Sequence, residues 1–170
     1  MTTANDLLID GFGRVRDAVH DVVQGLGEEE LSFRPDADAN PIGWLVWHLT
    51  RVQDDHVAGV AGGEQIWTAS GRVERFRLPY DVPATGFGQS PEEVGRLRVT
   101  AEMLTGYHDA VHDASVDYLR TLTDDDYERV VDENWDPPVT LAVRLLSVLD
   151  DAMKHAGQAA YVRGLLERRR

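Results

Sequence analysis

"LSVLDDAMKHAGQAAYVRG", Leu146 to Gly164, reads as the middle of a long helix. Counted from just upstream, Leu141, Leu145, Val148, Ala152, His155, Ala159 and Val162 recur at three and four, the spacing of one helix face. The helix is predicted from about Val139 to Glu167, and a stripe of that length must be covered by other helices. One member is out of character. His155 sits in the apolar stripe, with Asp151 one turn before it. At i, i+4 the two side chains stack on one face and can reach a single ion.

Working outward, three more amphipathic segments appear. The first, residues 4 to 25, carries Leu8, Phe12, Val15, Val19 and Val22 and stops at Gly25 and Gly27. "EEELSFRPDADANP" is a polar connection. The second opens at Asn40-Pro41, an N-cap residue followed by proline in the first turn. Its stripe is Ile42, Leu45, Leu49, Val52 and His56, and it stops near Gly62. The third opens at Ser90-Pro91 with Glu93 closing a capping box, and is predicted as one helix from there to Leu122. "DENWDPPVT" is rich in turn residues, and a short extended piece is expected around Tyr127 to Val131. Residues 63 to 89 have no clear period but contain Trp67, Phe76, Tyr80 and Phe87, as in a pocket wall or a segment wrapped against the helices. With no internal repeat, the pattern predicts an all-α fold. It is a single four-helix-bundle domain over residues 1–170, with a long second connection that permits a crossover.

Composition narrows the function. A chain of 170 residues that is 42% apolar can bury a sizeable core. Its net charge of −13 would repel phosphate backbones, so nucleic-acid binding is not expected. No apolar run is long enough to span a bilayer, and "MTTANDLLIDGFGRVRD" is charged throughout, unlike a signal peptide; a cytoplasmic protein is expected. There are no cysteines, so disulfides, thiolate metal ligands and a cysteine nucleophile are excluded, and any thiol chemistry needs a thiol supplied by a substrate. Of the 17 basic residues, only Lys154 is lysine, a bias typical of GC-rich genomes.

A histidine nitrogen and a carboxylate oxygen suit zinc, and a catalytic zinc takes three protein ligands. His48, near the middle of the second helix, is the candidate third, because metal sites in bundles are built from side chains on facing helices. By spacing alone, His108 and His112 in "YHDAVH" make an equally good i, i+4 pair, and an i, i+4 Asp–His pair is also an ordinary helix interaction. His20 and His56 read as boundary residues.

The order of elements, "NPIGWLVWHLTRVQDDH" on the second helix and "DDAMKHAGQAAYVRG" on the fourth resemble the DinB superfamily, bacterial four-helix-bundle proteins. The connection "QIWTASGRVERFRLPYDVPATGFG" is similar to that of an actinobacterial branch. That branch resembles mycothiol S-transferases and the metal-binding domain of mycothiol-dependent maleylpyruvate isomerase, which has a further domain. The resemblance implies a homodimer and a divalent metal, zinc or nickel. It puts one ligand on the second helix and a His-x-x-x-His or Glu-x-x-x-His pair on the fourth, positions held here by His48, Asp151 and His155. Asp151 departs from that pattern, and Gln158 stands where many relatives carry histidine.

The resemblance further implies a metal-dependent S-transferase. A divalent cation lowers the pKa of a bound thiol, and the thiolate is the nucleophile. The expected cosubstrate is mycothiol or a similar small thiol, and its acceptor an electrophilic small molecule. Trp44, one turn before His48, and Arg75 in the long connection are candidate substrate-binding residues. The alternatives are a metal-dependent hydrolase, with bound water in place of thiol, and a non-catalytic dimeric stress or binding protein.

Overall fold

The structure, a computed structural model, describes residues 1–169. Its four long helices are α1 (Ala4–Val23), α3 (Ile42–Ala61), α7 (Ala101–Thr121) and α8 (Leu141–Glu167). Short helices α2 (Glu28–Leu31), α4 (Ile66–Ala69), α5 (Arg72–Phe76) and α6 (Pro91–Val94) interrupt the connections. Before α8, a 3₁₀ turn (Asp124–Glu128) leads into β1 (Val130–Asp132), which pairs antiparallel with β2 (Val139–Thr140). No helix among the described residues is long and apolar enough to cross a membrane.

Cross-helix contacts fix the directions. Asn5 meets Leu122 and His20 meets Asp109, so α1 and α7 are antiparallel. Thr50 meets His108 and Val60 meets Tyr118, so α3 and α7 are parallel. Arg144 beside His56 shows that α3 and α8 are antiparallel, as the His48–His155 ring contact also requires. Around the bundle the order is α1, α7, α3, α8. Parallel neighbours α3 and α7 explain the long connection between them: residues 62–100 must carry the chain back along a helix of about 30 Å.

The helix ends follow local chemistry. Thr3 caps α1 with a capping box closed by Asp6, Gly62 ends α3 at φ 69°, and Thr140 caps α8 through the Val143 N–H. Helix α3 is the central element. Every residue from Ile42 to Arg51 is buried, and Gly43 is needed there, because a Cβ would lie 3.0–3.2 Å from Val99, Leu31 and Leu97 atoms.

Two expectations need correction. The third predicted helix is two: α6 is a single capped turn, and α7 begins ten residues later with its own cap, Thr100. Between them Leu97 and Val99 are buried while Arg96 and Arg98 are exposed. That period of two belongs to an extended segment, and it mimicked part of a helical stripe. The aperiodic stretch 63–89 contains α4 and α5, with Trp67 and Phe76 buried against Tyr107 of α7. The expected extended piece at Tyr127–Val131 is present as β1, which begins at Val130 because Tyr127 belongs to the 3₁₀ turn.

Candidate metal centre

His48 comes from the middle of α3, and Asp151 and His155 from the middle of α8, where the two helices pack side by side. One ligand atom from each lies within 4.8 Å of the others. The histidine rings meet edge-on at 4.8 Å, and His155 Nε2 is 3.5 Å from Asp151 Oδ1.

The outer nitrogens are spoken for. His48 Nδ1 is 2.6 Å from the Thr85 carbonyl oxygen, which can only accept, so the ring donates there and Nε2 keeps its lone pair. His155 Nδ1 is 2.9 Å from Gln158 Oε1, which assigns the same tautomer. Metal-bound histidines are oriented in this way by acceptors on the far nitrogen. Asp151 Oδ2 is buried and has no hydrogen-bond partner among the described residues. A buried carboxylate oxygen left short is costly, and a cation between the three side chains would satisfy it. Two imidazole nitrogens and a carboxylate are a donor set for zinc or nickel, so the residues present fit a divalent metal.

The electrostatics agree. Burial, ahead of the neighbouring His155, pushes the His48 pKa down and keeps its ring neutral. The hydrogen bond to Asp151 raises the pKa of His155. For Asp151, burial would raise the pKa, but the hydrogen bond and the charge of His155 outweigh it, and the carboxyl is held below its ordinary range.

The long connection reaches His48 through Gly86. Its φ is +99°, and a Cβ would sit 2.8 Å from His48 Nδ1 and 2.9 Å from the Trp44 ring, so only glycine lets the backbone bring the Thr85 carbonyl onto the histidine. Trp44 stacks on His48 at 4.6 Å and 16° and donates from Nε1 to Gln89, so it holds the ring from the other side. Arg75 is exposed on α5, and its charge acts on Glu102 at the start of α7.

The rival pair is not brought to a third ligand among the described residues. His108 is fully buried; its Nδ1 faces Thr50 Oγ1 at 3.0 Å, and burial pushes its pKa down to about 3. His112 contacts its own neighbour Asp113. His20 is on the surface, paired with Asp109.

Comparison with known proteins now bears on this geometry. The family profile of the DinB superfamily matches residues 12–159. The chain belongs to the DinB superfamily. Among solved structures, a conserved protein from Enterococcus faecalis is similar over 98% of both chains, with 27% identity and a TM-score of 0.91. No curated protein matches the chain. The second-helix motif of this DinB protein gains a meaning beyond His48. Arg51 is fully buried; it donates to Gln65 Oε1 at 2.9 Å and to the Ala84 carbonyl at 3.1 Å, and lies over Trp67 at 5.2 Å. Asp54 accepts from the Ile66 and Trp67 N–H groups and the Tyr107 hydroxyl. These two residues pin the connection that delivers Thr85 and Gly86. The motif gave a signal for them, since two charges lie beside an apolar stripe, but their partners lie 12 to 56 residues away.

Proposed function

We propose that this DinB protein is a metal-dependent transferase of a low-molecular-weight thiol, of which mycothiol is the leading candidate. The observation that carries the reading is that His48, Asp151 and His155 each bring one ligand atom within 4.8 Å of the others, with Asp151 Oδ2 buried and without a hydrogen-bond partner among the described residues. The metal, zinc or nickel, would be held by these three residues and would stabilise the thiolate of the cosubstrate.

The chain's own residues supply the rest. Thr85 and Gln158 fix both ring tautomers, so that two neutral lone pairs face inward. Trp44 and Gly86 close the far side of His48. The protein has no cysteine to compete for the site. In the transfer, the thiol loses its proton and the sulfur bonds to an electrophilic carbon. That carbon either releases a leaving group or, in a conjugated double bond, passes the new electron pair to its neighbour, which takes up a proton. We assign the protein a homodimeric state. Leu7 on α1 and Leu146 and Met153 on α8 are exposed and apolar, a surface that suits a second copy, and sedimentation analysis checks it.

The test is turnover of an electrophile by the zinc- or nickel-loaded protein with and without mycothiol. Thiol-dependent conjugation that disappears in His48→Ala is expected. Ester or amide cleavage without any thiol would instead assign a hydrolase.

A further inference from the structure

The metal centre lies at one end of a furrow between α3 and α8. Because the helices are antiparallel, His48, Val52 and His56 on α3 run alongside His155, Asp151, Val148 and Arg144 on α8. A cavity of about 320 Å³ is lined by Asp151, Val52, Val148, His56, Arg144 and the exposed Trp135. His56 and Arg144 also line a second cavity of about 660 Å³ that continues to Arg129.

The far end is built to donate. Arg144 is oriented from two sides, by Asp132 Oδ2 at 3.0 Å and His56 Nδ1 at 3.0 Å. A guanidinium cannot accept, so His56 accepts at Nδ1 and carries its own proton on Nε2. Two contacts leave the remaining N–H groups of the guanidinium fork for a ligand. Among the described residues, Arg129 beyond it donates to the Val60 carbonyl and the Tyr118 hydroxyl. Of the carboxylates at this end, Asp55 is engaged by Gln65 Nε2 at 2.7 Å and Asp132 by Arg144 itself at 3.0 Å. In a chain of net charge −13, two arginines and a histidine donor are gathered at the far end of the cleft, where Asp55 and Asp132 already have donors of their own.

We propose that this furrow binds the second substrate, and that its class is a small organic carboxylate with an apolar body. The carboxylate sits on Arg144 and His56, the body lies on Val52 and Val148 against Trp135, and the reactive carbon points to the metal centre. The assignment of that end as reactive rests on the thiol-transfer reading; the anion site does not. Arg144 and Asp151 are seven residues apart on one helix, about 10 Å along its axis, the length of an aryl-alkyl acid.

Calorimetric titration of the metal-free full chain with phenylbutyrate and with phenylbutanol, its uncharged analogue, tests the proposal. The acid is expected to bind roughly tenfold tighter than the alcohol, the worth of a charge-assisted fork contact. Arg144→Met should erase that preference. Trp135→Ala, at an exposed position that folding does not need, should weaken both ligands alike. Arg144→Lys, which keeps the charge where Met at this position fails to fold, should retain part of the preference. Equal affinity of acid and alcohol for the wild-type chain, or a preference that survives Arg144→Met, overturns the proposal. Because no metal is present, the two readings fail separately. A chain that binds zinc but shows no anion preference removes the furrow alone. A chain that prefers the acid but binds no metal removes the metal centre alone.

Discussion

Helix α3 carries two polar clusters one turn apart, and they differ in one respect. Around Arg51 and Asp54 the charges are matched: Asp54 takes two backbone N–H groups and a tyrosine hydroxyl, and Arg51 reaches carbonyl and amide oxygens. Around His48 the match is incomplete: two ring nitrogens face inward with no donor assigned to them, and Asp151 Oδ2 has no partner. Both clusters are buried or nearly so. The closed one is scaffold, because nothing remains for a ligand to satisfy. The open one gathers two imidazoles and a carboxylate, a donor set that suits a cation. Burial and charge alone do not separate the two; the balance of donors and acceptors does.

Breaking the closed cluster should have the largest effect on stability. Asp54 Oδ2 is also 3.7 Å from the Arg51 guanidinium, so Asp54→Ala leaves a buried charge uncompensated and strands two N–H groups and a hydroxyl, and should cost about 3–5 kcal/mol by chemical denaturation. Zinc should not restore the loss.

The open cluster should respond to metal instead. Zinc at a thousand times its Kd should stabilise the wild type by about 4 kcal/mol and His155→Ala hardly at all, read as the shift in Tm.

Gly86→Ala acts between the clusters, forcing a Cβ at positive φ against His48 Nδ1 and Trp44. It should cost about 1–3 kcal/mol of stability and weaken zinc binding as well, whereas an alanine at Gly63, which meets nothing within 4 Å, should leave zinc affinity alone.

Gln158→Leu removes only the acceptor on His155 Nδ1. It should lower zinc affinity by roughly 10- to 100-fold, with little change in the metal-free Tm.

The smallest effect is on pH dependence, and its sign differs between the metal-free and loaded states. His155 is raised and Asp151 lowered in the folded chain. The stabilisation from this pair is therefore complete between the unfolded-state pKa values, about 4 for the carboxyl and about 6.5 for the ring. It fades as pH rises through the raised value of His155, and again as pH falls through the lowered value of Asp151. Zinc affinity moves the other way across the ring's titration, increasing with pH as His155 gives up its proton. Titration calorimetry in buffers of different ionisation enthalpy reads that proton release.

Much of this was legible in the sequence because helices expose their periodicity. The α8 stripe placed Asp151 and His155 on one face, and the middle of α3 offered His48. The break between α6 and α7 was hidden because Leu97 and Val99, buried two apart, fall close enough to a helical stripe to be absorbed into it. Thr85 and Gly86 were not legible: a carbonyl has no side-chain signature, and the contact spans 37 residues. Arg51 stands beside the α3 stripe in the sequence, and it is the returning connection, through Gln65 and the Ala84 carbonyl, that buries it. Gln158 looked like a departure from the expected pattern, yet it supplies the acceptor that orients His155.

The central claim is that His48, Asp151 and His155 hold a divalent metal. It is tested most directly by elemental analysis of the untagged protein, purified without chelators and incubated with zinc and nickel, beside His155→Ala. The account predicts one metal ion per chain in the wild type and none in the variant. No bound metal in the wild type, or equal metal in both, would contradict it.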